Sequence, residues 1–296
     1  MPLHPLLAEA FRSASIDPHT LPPASGNIIR TSTAAYFAKT GSGPTVAQMR
    51  GEAASLRAMA ASAPAGLVPA VIGYAESEGE AGMVSAYAEG TRGPAFQRRL
   101  GEALAAMHCP GESQQYGFEL PTHCGATAQD NAWNGSWEAF FRDQRLGALV
   151  AQIRDARVSA LWEELKAGAL PLLLRDFRPP PQPVILHGDL WSGNVAAGAK
   201  GEPVIFDPAS YYGHGEADLG ITRMFGGFTP AFYDAYHAAR PRSAPHYERR
   251  QELYELYHHL NHALMFGGGY VASAVRIMRG LVAWAEGVRA EGEARG

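Results

Sequence analysis

Cysteine is nearly absent from this chain: there are two in 296 residues, Cys109 and Cys124. They form no CxxC and lie far along the chain from any paired Cys/His set, so neither a zinc site nor a redox couple is expected, and a reducing cytoplasm fits. No uninterrupted apolar run reaches the roughly 18 residues that a transmembrane helix needs, so no membrane partner is expected. There is no basic excess either. A net charge of −4 and a pI near 6.3 argue against a nucleic-acid partner. The opening stretch, Met1 to Ala10, carries His4 and Glu9 and lacks the basic region of a secretion signal. Internal repeats and low-complexity tracts are also missing.

What is present suits a globular protein. A hydrophobic share of 46% against 18% charged residues supports a packed core rather than a disordered chain. The 33 glycines and 21 prolines imply many turns between short elements.

Helical spacing of Leu6, Leu7 and Phe11 predicts a helix over 4–15. Residues 27–40 read as two short strands, the second ending Tyr36-Phe37-Ala38-Lys39. A long helix is predicted over 45–61, followed by strands over 68–75 and 81–88. Beyond residue 90 the pattern becomes helical: 95–108, 136–156 and 158–175, with 109–135 loop-like between the first two. The Pro179-Pro180-Pro181 run stops the third helix region, since proline lacks the N–H and clashes with the preceding turn. Two short buried strands follow, Val184-Ile185-Leu186 and Pro203-Val204-Ile205-Phe206. Helices are then predicted over 216–224, 229–239, 246–265 and 270–289.

Each of the two buried strands ends in a polar cluster. His187-Gly188-Asp189 follows the first, Asn194 comes four residues beyond Asp189, and Asp207 ends the second strand. D-x-x-x-x-N followed by an Asp at a strand end is the pattern of a phosphotransferase catalytic loop and metal loop. Phosphoryl transfer proceeds through a loose transition state, so positioning and charge neutralisation carry the catalysis. Asp189 suits the proton acceptor for the attacking hydroxyl. Asn194 and Asp207 offer the oxygen ligands that Mg2+ prefers beside the phosphates of ATP. Lys39 and Glu52 form a candidate phosphate-anchoring pair, although an isolated Lys/Glu pair is ordinarily a solvated one.

Other residues have competing readings. Trp191 could stack on a sugar or simply pack. His187 and His214 are expected as hydrogen-bonded residues rather than metal ligands. His258 and His262 have zinc-like spacing on one helix, but no third ligand is evident, so they read as helix-surface or pocket residues. The charge run Glu248 to Glu255 reads as a solvated helix face.

The segments ILHGDLWSGNV (185–195) and PVIFDPASYYGHGEADLGITRMFGGF (203–228) resemble the fructosamine kinase (ketosamine-3-kinase) family, which is related to aminoglycoside and choline kinases. LGEALAAMH (100–108), GSWEAFFRDQRL (135–146) and LNHALMFGGGY (260–270) extend the resemblance over most of the chain. The resemblance implies an α+β, two-lobed protein-kinase-like fold: a small β-rich lobe at 1–88 that binds nucleotide, and a larger, mostly helical lobe at 89–296 with the catalytic loop on a short hairpin. It implies ATP- and Mg2+-dependent phosphorylation of a sugar hydroxyl, O3, of ketosamines, either small molecules or glycated protein lysines, by a cytoplasmic monomer. Asp189 would be the base, Asn194 and Asp207 the metal ligands, and Ala86, Tyr87 and Ala88 the adenine-binding hinge. His187 and Asp218 would support the catalytic loop. Trp191, His214, Phe266 and Tyr270 would meet the acceptor. Gly215 stands where the family usually has Arg, which leaves the acceptor's identity open. The rivals are a related kinase for aminoglycosides, choline or another sugar, and a non-catalytic nucleotide-binding scaffold.

Overall fold

The computed structural model describes residues 3–111 and 113–294, so the first two and last two residues of the expected lobes and Glu112 lie outside it. The chain opens with α1 (Pro5–Ser13), whose Leu6, Leu7 and Phe11 are buried. Strands β1 (Ile28–Arg30) and β2 (Ala35–Ser42) precede α2 (Pro44–Ser62), and β3 (Val71–Ser77) and β4 (Glu80–Ala86) follow it. The four strands form one antiparallel sheet in the order β1-β2-β4-β3.

Alternation along the strands gives this sheet two faces. Ala38 and Val84 join Leu7, Ala10 and Phe11 of α1 in one cluster, whereas Met83 packs with Met49, Leu56 and Met59 of α2. Lys39 pairs in register with Met83 and therefore faces the α2 side. On the other face α1 lies close to the sheet. A Cβ at Gly73 would sit 2.0 Å from the Ala10 carbonyl oxygen, so only glycine fits.

Beyond β4 the protein is mainly helical. α3 (Phe96–Met107) leads to a hairpin, β5 (Thr122–Cys124) and β6 (Thr127–Gln129), in the stretch expected to be a loop. Three-residue strands are too short to show a period-two pattern, which is why the sequence hid them. The single helix expected over 136–156 is instead α4 (Trp137–Ala139), a π-helical stretch Phe140–Gly147 and α5 (Ala148–Val150), ending earlier than predicted. The helix expected over 158–175 breaks at Gly168 into α6 (Ala156–Ala167) and α7 (Ala169–Leu174). Strand β7 (Val184–Ile185) pairs with β10 (Tyr212–Gly213), and β8 (Val195–Ala197) forms a hairpin with β9 (Pro203–Ile205). Helices α8 (Asp218–Thr222), α9 (Pro230–Ala239), α10 (Tyr247–Phe266) and α11 (Gly269–Glu293) complete the lobe.

The start of α10 is not the solvated face its charges suggested. Arg250 and Gln251 are buried, and Arg250 Nε donates to Glu216 Oε2 at 3.1 Å while its other nitrogens cap the Ser243 and Pro245 carbonyls. A buried guanidinium persists only when paired and hydrogen-bonded in this way. No helix among the described residues is long and apolar enough to cross a membrane.

Candidate active site

The β7 strand delivers His187-Gly188-Asp189 to the centre of the molecule. Gly188 has φ +81°, and a Cβ there would lie 2.1 Å from the Ala209 carbonyl oxygen, so the turn requires glycine. Asp218, at the start of α8, holds that turn from behind. Its Oδ2 accepts the His187 N–H at 2.7 Å and its Oδ1 accepts the Gly188 N–H at 2.7 Å. Its Oδ2 also lies 3.1 Å from His108 Nε2. Burial works to raise the Asp218 pKa, but hydrogen bonding and charge from His108, with the Gly188 N–H, outweigh it and hold the carboxyl below its ordinary range.

His187 joins two loops. The Asp189 N–H donates to its Nδ1 at 3.2 Å, and its Nε2 lies 2.9 Å from the Phe206 carbonyl oxygen. The carbonyl can only accept, so the ring proton is on Nε2. Burial lowers the His187 pKa, in keeping with a neutral ring. One imidazole therefore fastens the loop bearing Asp189 to the strand end bearing Asp207.

Asn194, Asp189 and Asp207 converge. Asn194 Nδ2 donates to the Asp189 carbonyl oxygen at 2.9 Å, lies 3.5 Å from Asp189 Oδ2, and is 3.4 Å from the Asp207 carbonyl oxygen. This orientation spends the amide nitrogen on backbone, so Oδ1 is the atom that could serve a metal. Asp207 adopts φ +53°, a left-handed conformation unusual outside glycine. Its Oδ1 lies 3.8 Å from Lys39 Nζ, which in turn pairs with Glu52 Oε2 on α2. Burial raises the Glu52 pKa, against the opposing charge of Lys39. The amide oxygen of Asn194 and the carboxylate of Asp207 form the hard oxygen set that a magnesium ion accepts.

Burial is also the first cause of the raised Asp189 pKa, which reaches about 6, with the charges of Asp218 and Asp207 adding to it. A carboxylate poised there can take up a proton near neutral pH.

Two cavities border this cluster, one at Asp207 and one at Asp189. One of about 190 Å³, under the sheet, is lined by Phe37, Glu52, Ala86, Tyr87, Ala88 and Asp207, among others. Within its hinge, the Ala86 and Tyr87 N–H groups are already taken by the Ala70 and Ala35 carbonyls. The other cavity, of about 540 Å³, is lined by Asp189, Trp191, Phe225, His262 and Phe266, with Cys124 and Asn261 at its wall. Three of its side chains are unusually exposed for their kind: Trp191 at 39%, Phe225 at 44% and Phe266 at 67%. An exposed aromatic group around a cleft marks a binding surface. The Trp191 ring lies over Gly193, where a Cβ would come within 2.1 Å of the indole, so Gly193 is what lets the ring lie down.

Of the residues expected at the acceptor, one lies elsewhere and another stands against the cavity-lining rings of His262 and Phe266. His214 is a correction: its ring is buried between Trp137, Phe177 and Tyr254, with Nδ1 2.8 Å from the Tyr254 hydroxyl and Nε2 3.2 Å from Ser243 Oγ. It supports the lobe interior. Tyr270 packs on His262 with ring centroids 5.0 Å apart and is not among the cavity-lining residues. The departure at Gly215 has a local reason, since a side chain there would press on His108 and Tyr236. Sequence reasoning missed Phe225, Asn261 and Cys124. Phe225 carried a usable signal, an aromatic followed by two glycines. Cys124 carried none, because only the β5–β6 hairpin brings it to Asp189.

Comparison with known proteins places the chain in a family. The family model described as fructosamine kinase matches residues 21–283. The probable ketoamine kinase of Synechocystis sp. is 41% identical over 245 residues, covering 82% of each chain. Ketosamine-3-kinase of Mus musculus is 44% identical over 171 residues, which cover 56% of this chain and 54% of the mouse protein. A solved structure from Thermobifida fusca YX-ER1, described as a candidate fructosamine-3-kinase, superposes with a TM-score of 0.80 at 24% identity, covering 95% of this chain and 99% of that one. That likeness establishes the two-lobed kinase-like fold.

Proposed function

This chain belongs to the fructosamine kinase family, and from that premise we propose that it transfers the γ-phosphoryl group of ATP to a sugar hydroxyl, O3, of a ketosamine. The observation that carries the reading is the bridge between the two cavities. Asp207 lines the sheet-side cavity, Asp189 lines the aromatic one, and Asn194 Nδ2 lies within 3.5 Å of both loops. A donor and an acceptor held in those two spaces would meet at the carboxylates.

In this reading residues 1–88 hold the nucleotide and 89–296 the acceptor. Adenine lies against the hinge, where the Ala88 N–H has no hydrogen-bond partner among the described residues and is the available donor. Lys39, oriented by Glu52, meets the phosphates. Asp189 receives the proton of the acceptor hydroxyl as its oxygen bonds to phosphorus and ADP departs. Asn194 Oδ1 and Asp207 would hold Mg2+, which would neutralise phosphate charge when bound. Trp191 and Phe266 give the sugar an apolar wall.

A polycationic aminoglycoside would call for several carboxylates, yet among the described residues Asp189 is the single one lining the acceptor cavity. The test is ATP consumption with fructosyl-, ribulosyl- and erythrulosyl-lysine, beside aminoglycosides and choline. Turnover confined to the ketosamines is expected. Faster turnover with choline or an aminoglycoside would overturn the assignment.

A further inference from the structure

Beside Asp189 the fold places two side chains that phosphoryl transfer does not use. Cys124 closes β5 and His258 lies in the middle of α10. Cys124 Sγ, a carboxylate oxygen of Asp189 and a ring nitrogen of His258 all lie within 4.8 Å of one another. Cys124 is 2% exposed and His258 3% exposed. Among the described residues His258 Nδ1 is buried without a hydrogen-bond partner, and so is Asn261 Oδ1, whose residue lines the acceptor cavity. Orphaned buried polar atoms are costly, and each calls for an explanation.

We propose that Cys124, Asp189 and His258 form a binding site for a soft divalent cation, Zn2+ or Cd2+, whose occupation silences the enzyme. Zinc takes cysteine sulfur at about 2.3 Å and histidine nitrogen at about 2.0 Å, so three donors within 4.8 Å need only a small closing movement to share one ion. Thiolate, imidazole and carboxylate are the donor types zinc selects, and the aromatic cavity leaves the fourth position open to water. Gln129 Nε2 donates to the Tyr257 hydroxyl at 2.6 Å, so that hydroxyl's own hydrogen is left for another acceptor on this side of the cavity. Binding would release the thiol proton to solvent and occupy Asp189. Magnesium would not compete, since it favours the all-oxygen set at Asn194 and Asp207. Silencing rests on the reading of Asp189 as the proton acceptor; the binding itself does not.

The experiment uses the full chain with Cd2+ as probe, without nucleotide or acceptor. One equivalent is expected to give an ultraviolet thiolate-to-metal charge-transfer band. The chain has two cysteines, and Cys109 is exposed, so Cys109→Ser tests the sulfur's identity without touching the core. The band is expected to survive Cys109→Ser, to vanish in Cys124→Ser, and to need more than about tenfold more Cd2+ in His258→Ala. In parallel, Zn2+ at saturating MgATP should inhibit turnover, competitively with the acceptor and reversibly on chelation. Loss of the band in Cys109→Ser, or no band in the parent chain, overturns the site. Full occupancy with unchanged turnover overturns the silencing. Because the metal arm contains no substrate, it stands or falls separately from the ketosamine reading.

Discussion

Lys39 Nζ lies 3.8 Å from Asp207 Oδ1 while paired to Glu52, so a single ammonium ties the central strand β2 to helix α2 and to the loop that follows β9. The β2–β4 register makes this possible by turning Lys39 toward α2. Lys39→Met should therefore raise KM for ATP by about tenfold or more and lower kcat, with KM for the acceptor little changed, as read from initial rates against each substrate. An equal rise in both KM values would argue for a general loss of lobe structure instead.

Asp189→Asn should lower kcat by about 10²–10⁴-fold while MgATP binding persists. The same change should make the fold more stable. The folded pKa of about 6 lies above the unfolded value near 3.9, so the native state binds more protons between those limits. Stability then falls as pH rises through that window and stays lower above it. Removing the charge should restore about 1–2 kcal/mol at pH 7, seen in denaturant unfolding. A destabilised Asn variant would contradict the burial argument.

The pH profile follows from the same carboxyl. Below pH ~6 Asp189 becomes protonated and can no longer accept the hydroxyl proton, so kcat/KM should decline about tenfold per pH unit on the acid side. The residual activity of Asp189→Asn should lack that limb. A rate flat down to pH ~4.5 would mean that another group serves as base.

Gly193→Ala addresses the acceptor side. A methyl there collides with the Trp191 indole and must lift the ring from its position on the cavity wall. KM for the acceptor is expected to rise by about tenfold, with KM for ATP unchanged, in a two-substrate kinetic matrix.

Much of this arrangement was readable from the chain alone because its chemistry sits at the ends of short apolar strands. Asp189, Asn194 and Asp207 stood out by residue type and spacing, and Lys39 and Glu52 by the strand-then-helix order. The failures have physical causes. The resemblance put His214 at the acceptor, yet ring contacts with Trp137 and Phe177 and two hydrogen bonds satisfy it inside the lobe, as the residue-type reading of a hydrogen-bonded histidine expected. Arg250 looked solvated because its neighbours are charged, while its partner Glu216 lies on a different element. The β5–β6 hairpin is held by only three residue pairs, below what periodicity detects. Cys124 and His258 are remote along the chain, and only the folded hairpin and α10 make them neighbours.

The buried carboxylate of Asp218, gripping the amides of His187 and Gly188, bears on how such an enzyme can decay over evolutionary time. Losing it would strip two backbone donors and His108 of their shared partner in the interior, so folding and activity would disappear together and selection would remove the descendant. Losing Asp189 carries no such penalty. Lineages that abandon the reaction but keep the nucleotide should therefore mutate position 189 early and retain the aspartate at 218.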